Sequence, residues 1–266
     1  MARILAVANQ KGGVGKTTTA VNLAASMAKT NRSIMLIDLD PQGNATVGCG
    51  IQKDEIDKSI YQVLSNEAGI REAGKQVDNN LVVVPSSPDL AGISMELASE
   101  FAREMRLKNA LSLVQEKYDY IFMDCPPALD LLTVNALVAA TGVLIPLQCE
   151  YYALEGLTSL LNTVNRIKEI LNPRLQIEGL LRTMFDSRVT LSNEVSDQLL
   201  EHFGDKVFRT VIPRNVRLAE APSHGQAVID YDRNCAGAQA YLALAGEMLR
   251  RNETEKNEEI ETWTGT

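Results

Sequence analysis

The sequence predicts a doubly wound α/β fold, a mostly parallel sheet with helices on both faces. Two observations carry that expectation. Short apolar runs alternate with longer amphipathic stretches along the chain, and most runs are too apolar to keep a wet face. Strands covered on both sides have that character. The runs at 4–8, 34–39, 81–84, 120–123, 143–147 and 177–181 read as strands; helical periodicity fills 15–30, 90–117, 130–140, 153–171, 190–203 and 235–251. Pro85, Pro126, Pro127, Pro146, Pro173 and Pro213 fall at or just beyond element ends, where a missing amide donor does least harm. Residues 48–80 are more polar and less periodic, which predicts an irregular excursion with a short helix near 59–64.

A chain of 266 residues accommodates one such domain, and neither a repeat nor a Gly/Ser-rich linker divides it. We place the domain at 1–251. In 252–266, five glutamates stand against Lys256 with little apolar content, so an acidic, disordered tail is expected there. No apolar run reaches the ~18 residues of a membrane span and no cleavable leader pattern opens the chain, which points to a cytoplasmic protein. Cys49, Cys125, Cys149 and Cys235 are scattered beside only two histidines, a pattern of buried reduced thiols rather than of zinc. The net charge of −8 argues on its face against an anionic partner, but about half of it sits in the tail.

Chemistry concentrates first in Gln10-Lys11-Gly12-Gly13-Val14-Gly15-Lys16-Thr17-Thr18, between the first strand and the first helix. Glycines there let the backbone turn with its amides inward, and the helix N-terminus adds positive potential, making a phosphate cradle. Lys16 reaches the β and γ phosphates, Thr17 is placed to ligate Mg²⁺, and Thr18 contacts an α-phosphate oxygen. A second carboxylate source is 119–127, an apolar strand ending in Asp124, as in a Walker B element that holds Mg²⁺ through a water. A strand-end helix cap is the plainer reading of Asp124 taken alone. The second strand ends in Asp38-Leu39-Asp40, both carboxylates on one side. Asp40 lies where the chain leaves the carboxyl edge and is suited to orient or deprotonate a water; Asp38 is a candidate second-shell group for the metal.

The segments K-G-G-V-G-K-T-T, D-L-D-P-Q-G-N-A-T, D-C-P-P, Q-C-E-Y-Y-A-L-E-G and V-I-P-R-N-V-R-L-A-E-A-P-S-H-G together resemble the ParA/Soj-type partition ATPases of the deviant Walker A class of P-loop NTPases, from about residue 3 to 250. The resemblance implies ATP and Mg²⁺ as cofactors and a nucleotide loop running from Lys11 to Thr18. It makes Lys11 the signature lysine, which crosses an ATP sandwich dimer to the other subunit's phosphates. It also implies that Asp40 is required for a slow intrinsic hydrolysis and that Pro213, Arg214 and Asn215 lie against adenine. Arg188 and Arg217 match positions that hold duplex DNA. From composition alone, 182–217 is only a mixed charged surface. The partners implied are a second copy, non-specific double-stranded DNA and a ParB-type centromere-binding protein that stimulates hydrolysis. The location implied is the nucleoid.

Three rival readings use the same loop. A MinD-like ATPase that positions division at the membrane ends in a basic amphipathic helix, whereas Arg250-Arg251 is followed here by an acidic stretch, so no stable membrane association is expected. An iron–sulfur reductase needs a second cysteine to accompany Cys125, and no cluster motif supplies it. A small-acid ligase or synthetase is disfavoured by the Q-C-E-Y-Y-A-L-E-G segment, in which Tyr151 and Tyr152 read as packing at a helix start and Glu150 as a cap or dimer-rim carboxylate.

Overall fold

The computed structural model describes residues 2–264, with side chains as far as Thr254. Among the described residues one sheet is built from β1 (Arg3–Val7), β2 (Ile34–Asp38), β3 (Lys75–Asp78), β4 (Leu81–Val84), β5 (Tyr120–Asp124), β6 (Gly142–Gln148) and β7 (Gln176–Thr183). Their spatial order is β3-β4-β2-β5-β1-β6-β7, and every neighbouring pair is parallel except β3 with β4. Such an order winds the chain outward in both directions from β1 and leaves a crevice at the carboxyl ends of the central strands. Register brings Val7 and Asp38 both opposite Asp124, so the first two strands and the fifth end at one level.

Alternation along the strands divides the core between two faces. Ile4, Ala6, Ile37, Ile121 and Val143 pack with Leu132, Leu137, Leu157 and Leu160 from the helices Leu131–Ala139 and Ala153–Ile170. Leu5, Val7, Leu36, Phe122 and Leu144 pack on the other side against Leu23 and Met27 of α1 (Lys16–Ala28) and Tyr241, Leu244 and Met248 of the C-terminal helix. Residues on both faces of these strands are buried, which is why their sequences carry no period-two polarity.

The structure departs from the sequence reading in three places. Strand β3 was not foreseen: Lys75-Gln76-Val77-Asp78 is mostly polar, antiparallel and irregular in register, an edge strand whose single apolar residue, Val77, packs on the core. The periodic stretch 90–117 is not one helix but a series of short turns around Arg106–Ser112, interrupted where Ala102 turns left-handed at φ 52°. The boundary at 251 falls inside a helix, Ala236–Thr264. No glycine or proline interrupts 247–264, Arg251 pairs with Glu247 one turn back at 2.7 Å, and Asn252 is buried against the Tyr120 hydroxyl. These features favour continuing the helix over releasing a tail. The last two positions of the expected tail, 265 and 266, lie outside the described residues. Among the described residues no helix is long and apolar enough to cross a membrane.

Candidate active site

The loop after β1 turns through two left-handed glycines, Gly13 at φ 74° and Gly15 at φ 84°, a conformation that any other residue adopts only with strain. Gly15 is also the cap position of α1, and no side chain caps it. The first-turn amides are therefore presented to the loop, where an anion can take them. Neighbouring strands brace the turn. The Thr183 hydroxyl lies 2.8 Å from the Val14 carbonyl and 3.0 Å from that of Leu147, and the Asn9 amide donates to the Pro146 carbonyl at 2.7 Å. Asn9 Oδ1 accepts from the Lys11 amide at 3.0 Å.

The two lysines have different surroundings. Lys16 is buried inside the cradle and its ammonium donates to the Lys11 carbonyl at 3.1 Å. Burial lowers its pKa, and the charge of Asp124 opposes that most strongly. Lys11 instead lies on the rim, its Nζ 2.6 Å from Glu150 Oε2, with the two side chains 40% and 52% exposed. Glu150 is thus engaged with the loop rather than capping a helix. Tyr151 and Tyr152 correct the expectation of packing: both are exposed and contact each other edge to face at 5.0 Å.

Three carboxylates converge beside Lys16. Asp124, fully buried, has neither oxygen in a hydrogen bond of ordinary geometry. Burial and the adjacent Asp38 push its carboxyl well above the usual range, with the Thr17 hydroxyl and then Lys16 acting in the opposite sense. A buried carboxylate with open lone pairs facing a hydroxyl and an ammonium suits a hard divalent cation or its water shell. Asp38 is satisfied: Oδ2 accepts from the Thr46 amide at 2.8 Å and hydroxyl at 2.7 Å, and Oδ1 from the Asp40 amide at 3.1 Å. Burial nonetheless raises its pKa to about 6. Asp40 is half-buried, and its Oδ1 accepts from the Gln42 amide at 3.0 Å, which holds the turn.

Beside the loop opens a cavity of about 350 Å³, whose lining includes Gly15, Thr18, Pro213, Arg214 and Asn215, so the structure brings the segment near 213 to the phosphate cradle. Thr183, Met184, Leu218 and Tyr241 complete its walls and were not anticipated. Thr183, Met184 and Tyr241 come from distant elements and nothing local marks them, apart from a left-handed backbone at Met184, φ 48°. Asn215 caps the short helix Val216–Glu220 by accepting from the Arg217 amide, which places Arg217 between two residues of the cavity wall, Val216 and Leu218. Arg188 stands apart, on the loop between β7 and the helix Thr190–Phe203. Burial pushes the Cys49 and Cys125 thiols up, which keeps them protonated and inert at neutral pH.

Comparison with known proteins agrees with this geometry. A family model described as an AAA domain matches residues 2–177. The sporulation initiation inhibitor protein Soj of Bacillus subtilis is 52% identical over 249 residues, spanning 93% of this chain and 98% of that protein. The chromosome partitioning protein ParA of Caulobacter vibrioides is 49% identical over 252 residues, 94% of each. Among solved structures, cobyrinic acid a,c-diamide synthase from Mycobacterium smegmatis with bound ADP and magnesium superposes with a TM-score of 0.84 at 36% identity, over 96% of this chain and 97% of that one. A putative plasmid partition protein from Borrelia burgdorferi bound to AMPPNP gives 0.79 at 28%, over 94% and 100%. With a cradle, paired strand-end carboxylates and near full-length identity of about half to partition ATPases, the chain belongs to the ParA/Soj family of chromosome-partitioning ATPases, in the deviant Walker A class.

Proposed function

We propose that the chain is an ATP-driven switch in DNA segregation, in which ATP joins two copies face to face and the pair, not the single chain, holds DNA. The observation that carries this reading is the divergence of the two lysines: Lys16 is buried in its own cradle, while Lys11 stays on the rim and is held by a surface carboxylate. A lysine so placed can reach a phosphate outside its own subunit once it gives up that carboxylate.

In this reading adenine occupies the cavity against Pro213, Arg214 and Asn215, and the phosphates lie along the amides of residues 12–18. Lys16 exchanges the Lys11 carbonyl for phosphate oxygens. Thr17 and Asp124 would hold Mg²⁺, with Asp38 supporting the site from behind. When bound, Mg²⁺ offsets part of the triphosphate charge. Asp40 orients the attacking water or takes its proton. Lys11 leaves Glu150 and crosses to the partner's nucleotide, where a second ammonium stabilises charge in the transition state as an arginine finger does. Arg188 and Arg217 of both subunits then reach one duplex, and two weak sequence-independent contacts become one strong attachment. Intrinsic turnover is slow, and a ParB-type partner stimulates it to release the DNA at the nucleoid.

The test is DNA retardation with ADP, ATP and a slowly hydrolysed analogue. Asp40→Ala is expected to trap a DNA-bound dimer, Lys16→Ala and Lys11→Ala to lose dimerisation, and Arg217→Ala to dimerise without binding DNA. Equal retardation in ADP and ATP refutes the switch. A metabolic reading, after the Mycobacterium synthase, is favoured less, because the 36% identity to that protein is lower than that to the partition proteins at 49% and 52%.

A further inference from the structure

Both arginines proposed to contact DNA are already occupied by carboxylates of their own chain. Arg188, 88% exposed at its side chain, folds back two residues: Nε donates to Asp186 Oδ1 at 2.9 Å and Nη2 to Oδ2 at 2.7 Å. Arg217 Nη1 donates to Glu220 Oε2 at 2.7 Å, and its Nε lies 3.4 Å from Asp232 Oδ2. These partners come from different elements, Glu220 from the same short helix and Asp232 from the turn after Val228–Tyr231. The guanidinium fork that engages a carboxylate in this way is the same one it offers to a phosphate. Pairs this exposed contribute little to folding. What they do change is the net charge each arginine presents to a polyanion.

We propose that Asp186, Glu220 and Asp232 are built-in competitors for the DNA backbone, which lower the affinity of each arginine until only a dimer presenting both sets retains duplex. The inference rests on the assignment of Arg188 and Arg217 to DNA. Its physical content is an exchange: a phosphate must displace a carboxylate and then lie beside it, so the arginine adds less attraction and less counterion release than a free one. The competitors thereby widen the difference between one subunit and two, since a weak site gains most from being doubled.

The experiment measures binding of a labelled random-sequence duplex by anisotropy across a KCl series, with ADP and with the slowly hydrolysed ATP analogue. The chains compared are the unaltered protein, Glu220→Gln, Asp186→Asn, their combination, Asp232→Asn and Arg217→Ala. Each neutralisation is expected to raise the affinity of the ATP-bound dimer roughly threefold to tenfold and to steepen the log–log salt dependence by about 0.9 per phosphate gained. The combined variant is expected to retain DNA with ADP, while ATP-dependent dimerisation by sedimentation stays as in the unaltered chain. Unchanged affinity and salt slope in variants that dimerise normally, with Arg217→Ala defective, overturn the competitor role and leave the DNA assignment standing. Undiminished binding by Arg217→Ala overturns that assignment and this inference with it.

Discussion

Replacing Glu150 by glutamine removes the carboxylate that holds Lys11 in cis while keeping the size and much of the polarity of the side chain. In the free chain the pair is short, 2.6 Å, but both partners are about half exposed. Solvent screening limits an ion pair of that kind to about 0.2–1 kcal/mol. If Lys11 crosses to the other subunit, forming one dimer breaks two such pairs, so the latch opposes association by about 0.4–2 kcal/mol. Glu150→Gln should therefore tighten the ATP-dependent dimer by about 2-fold to 30-fold. The assay is sedimentation velocity over a concentration series, on chains that also carry Asp40→Ala so that hydrolysis does not drain the dimer. The advantage should shrink as salt rises, because the pair it abolishes is itself screened. A Glu150→Gln chain that binds nucleotide normally yet dimerises no better at low salt refutes the reasoning, for then Lys11 is not restrained by this contact.

Three further outcomes follow from burial and geometry. Asp124 is an acid whose folded pKa lies above its ordinary 3.8, so the native state binds the extra proton and nucleotide-free stability falls as pH rises from there. Asp124→Asn should stabilise the nucleotide-free chain at neutral pH by about 1–3 kcal/mol in urea unfolding and forfeit the added stability that Mg·ATP confers. Glu247 accepts from the Arg209 and Thr210 amides, each at 2.8 Å, and from Arg251 at 2.7 Å. Burial raises its pKa, but these donors outweigh burial and leave it below 4.5. Its contribution is thus present above about pH 4.5 and lost as pH falls through the folded value, so Glu247→Gln should cost about 1.5–3 kcal/mol at pH 7 and converge with the parent in acid thermal melts. At Gly225, φ is 63° and an added Cβ would stand 2.8 Å from Gly50 Cα, whereas at Gly204, φ 50°, nothing lies within 4 Å. Gly225→Ala should cost clearly more than the about 1–2 kcal/mol of left-handed strain alone, by denaturant midpoint, whereas Gly204→Ala, at ψ −122° outside the left-handed helical region, is strained by its backbone without a clash.

The central architecture was legible because its strands are buried on both faces: runs such as Ile34-Met35-Leu36-Ile37 carry their environment in their composition. The cradle was legible for a related reason, since left-handed turns at Gly13 and Gly15 leave few residue types able to stand there. Edges were less readable. Strand β3 is held by backbone pairing to β4 and offers the core only Val77, too little for an apolar pattern to show. The walls of the cavity beside the loop were half read, because Pro213-Arg214-Asn215 is one contiguous segment while Thr183, Met184 and Tyr241 meet it only through the fold. Thr46, which fixes Asp38 with two hydrogen bonds, lies eight residues downstream on a loop helix, and its type and spacing alone do not announce that role.

On the proposed reading an acidic chain would bind two polyanions, a physical puzzle unless its cations are locally concentrated, and here they are not. In the free chain Lys11 faces Glu150, Arg188 faces Asp186, and Arg217 faces Glu220 and Asp232. Of these four cations Lys16 alone is withdrawn from the surface, and its carboxylate neighbour Asp124 has oxygens left open. Phosphate at the nucleotide site therefore meets one preorganised ammonium per subunit, backed by helix and loop amides that no carboxylate can neutralise. Phosphate on DNA meets only side chains that must first give up a partner. The two steps should then respond differently to ionic strength: nucleotide capture, built on buried and backbone donors, weakly, and DNA retention, built on exposed exchangeable pairs, steeply. On the proposed reading that asymmetry would order the cycle, because nucleotide binding can proceed on a single chain and DNA would become a competent ligand only after it.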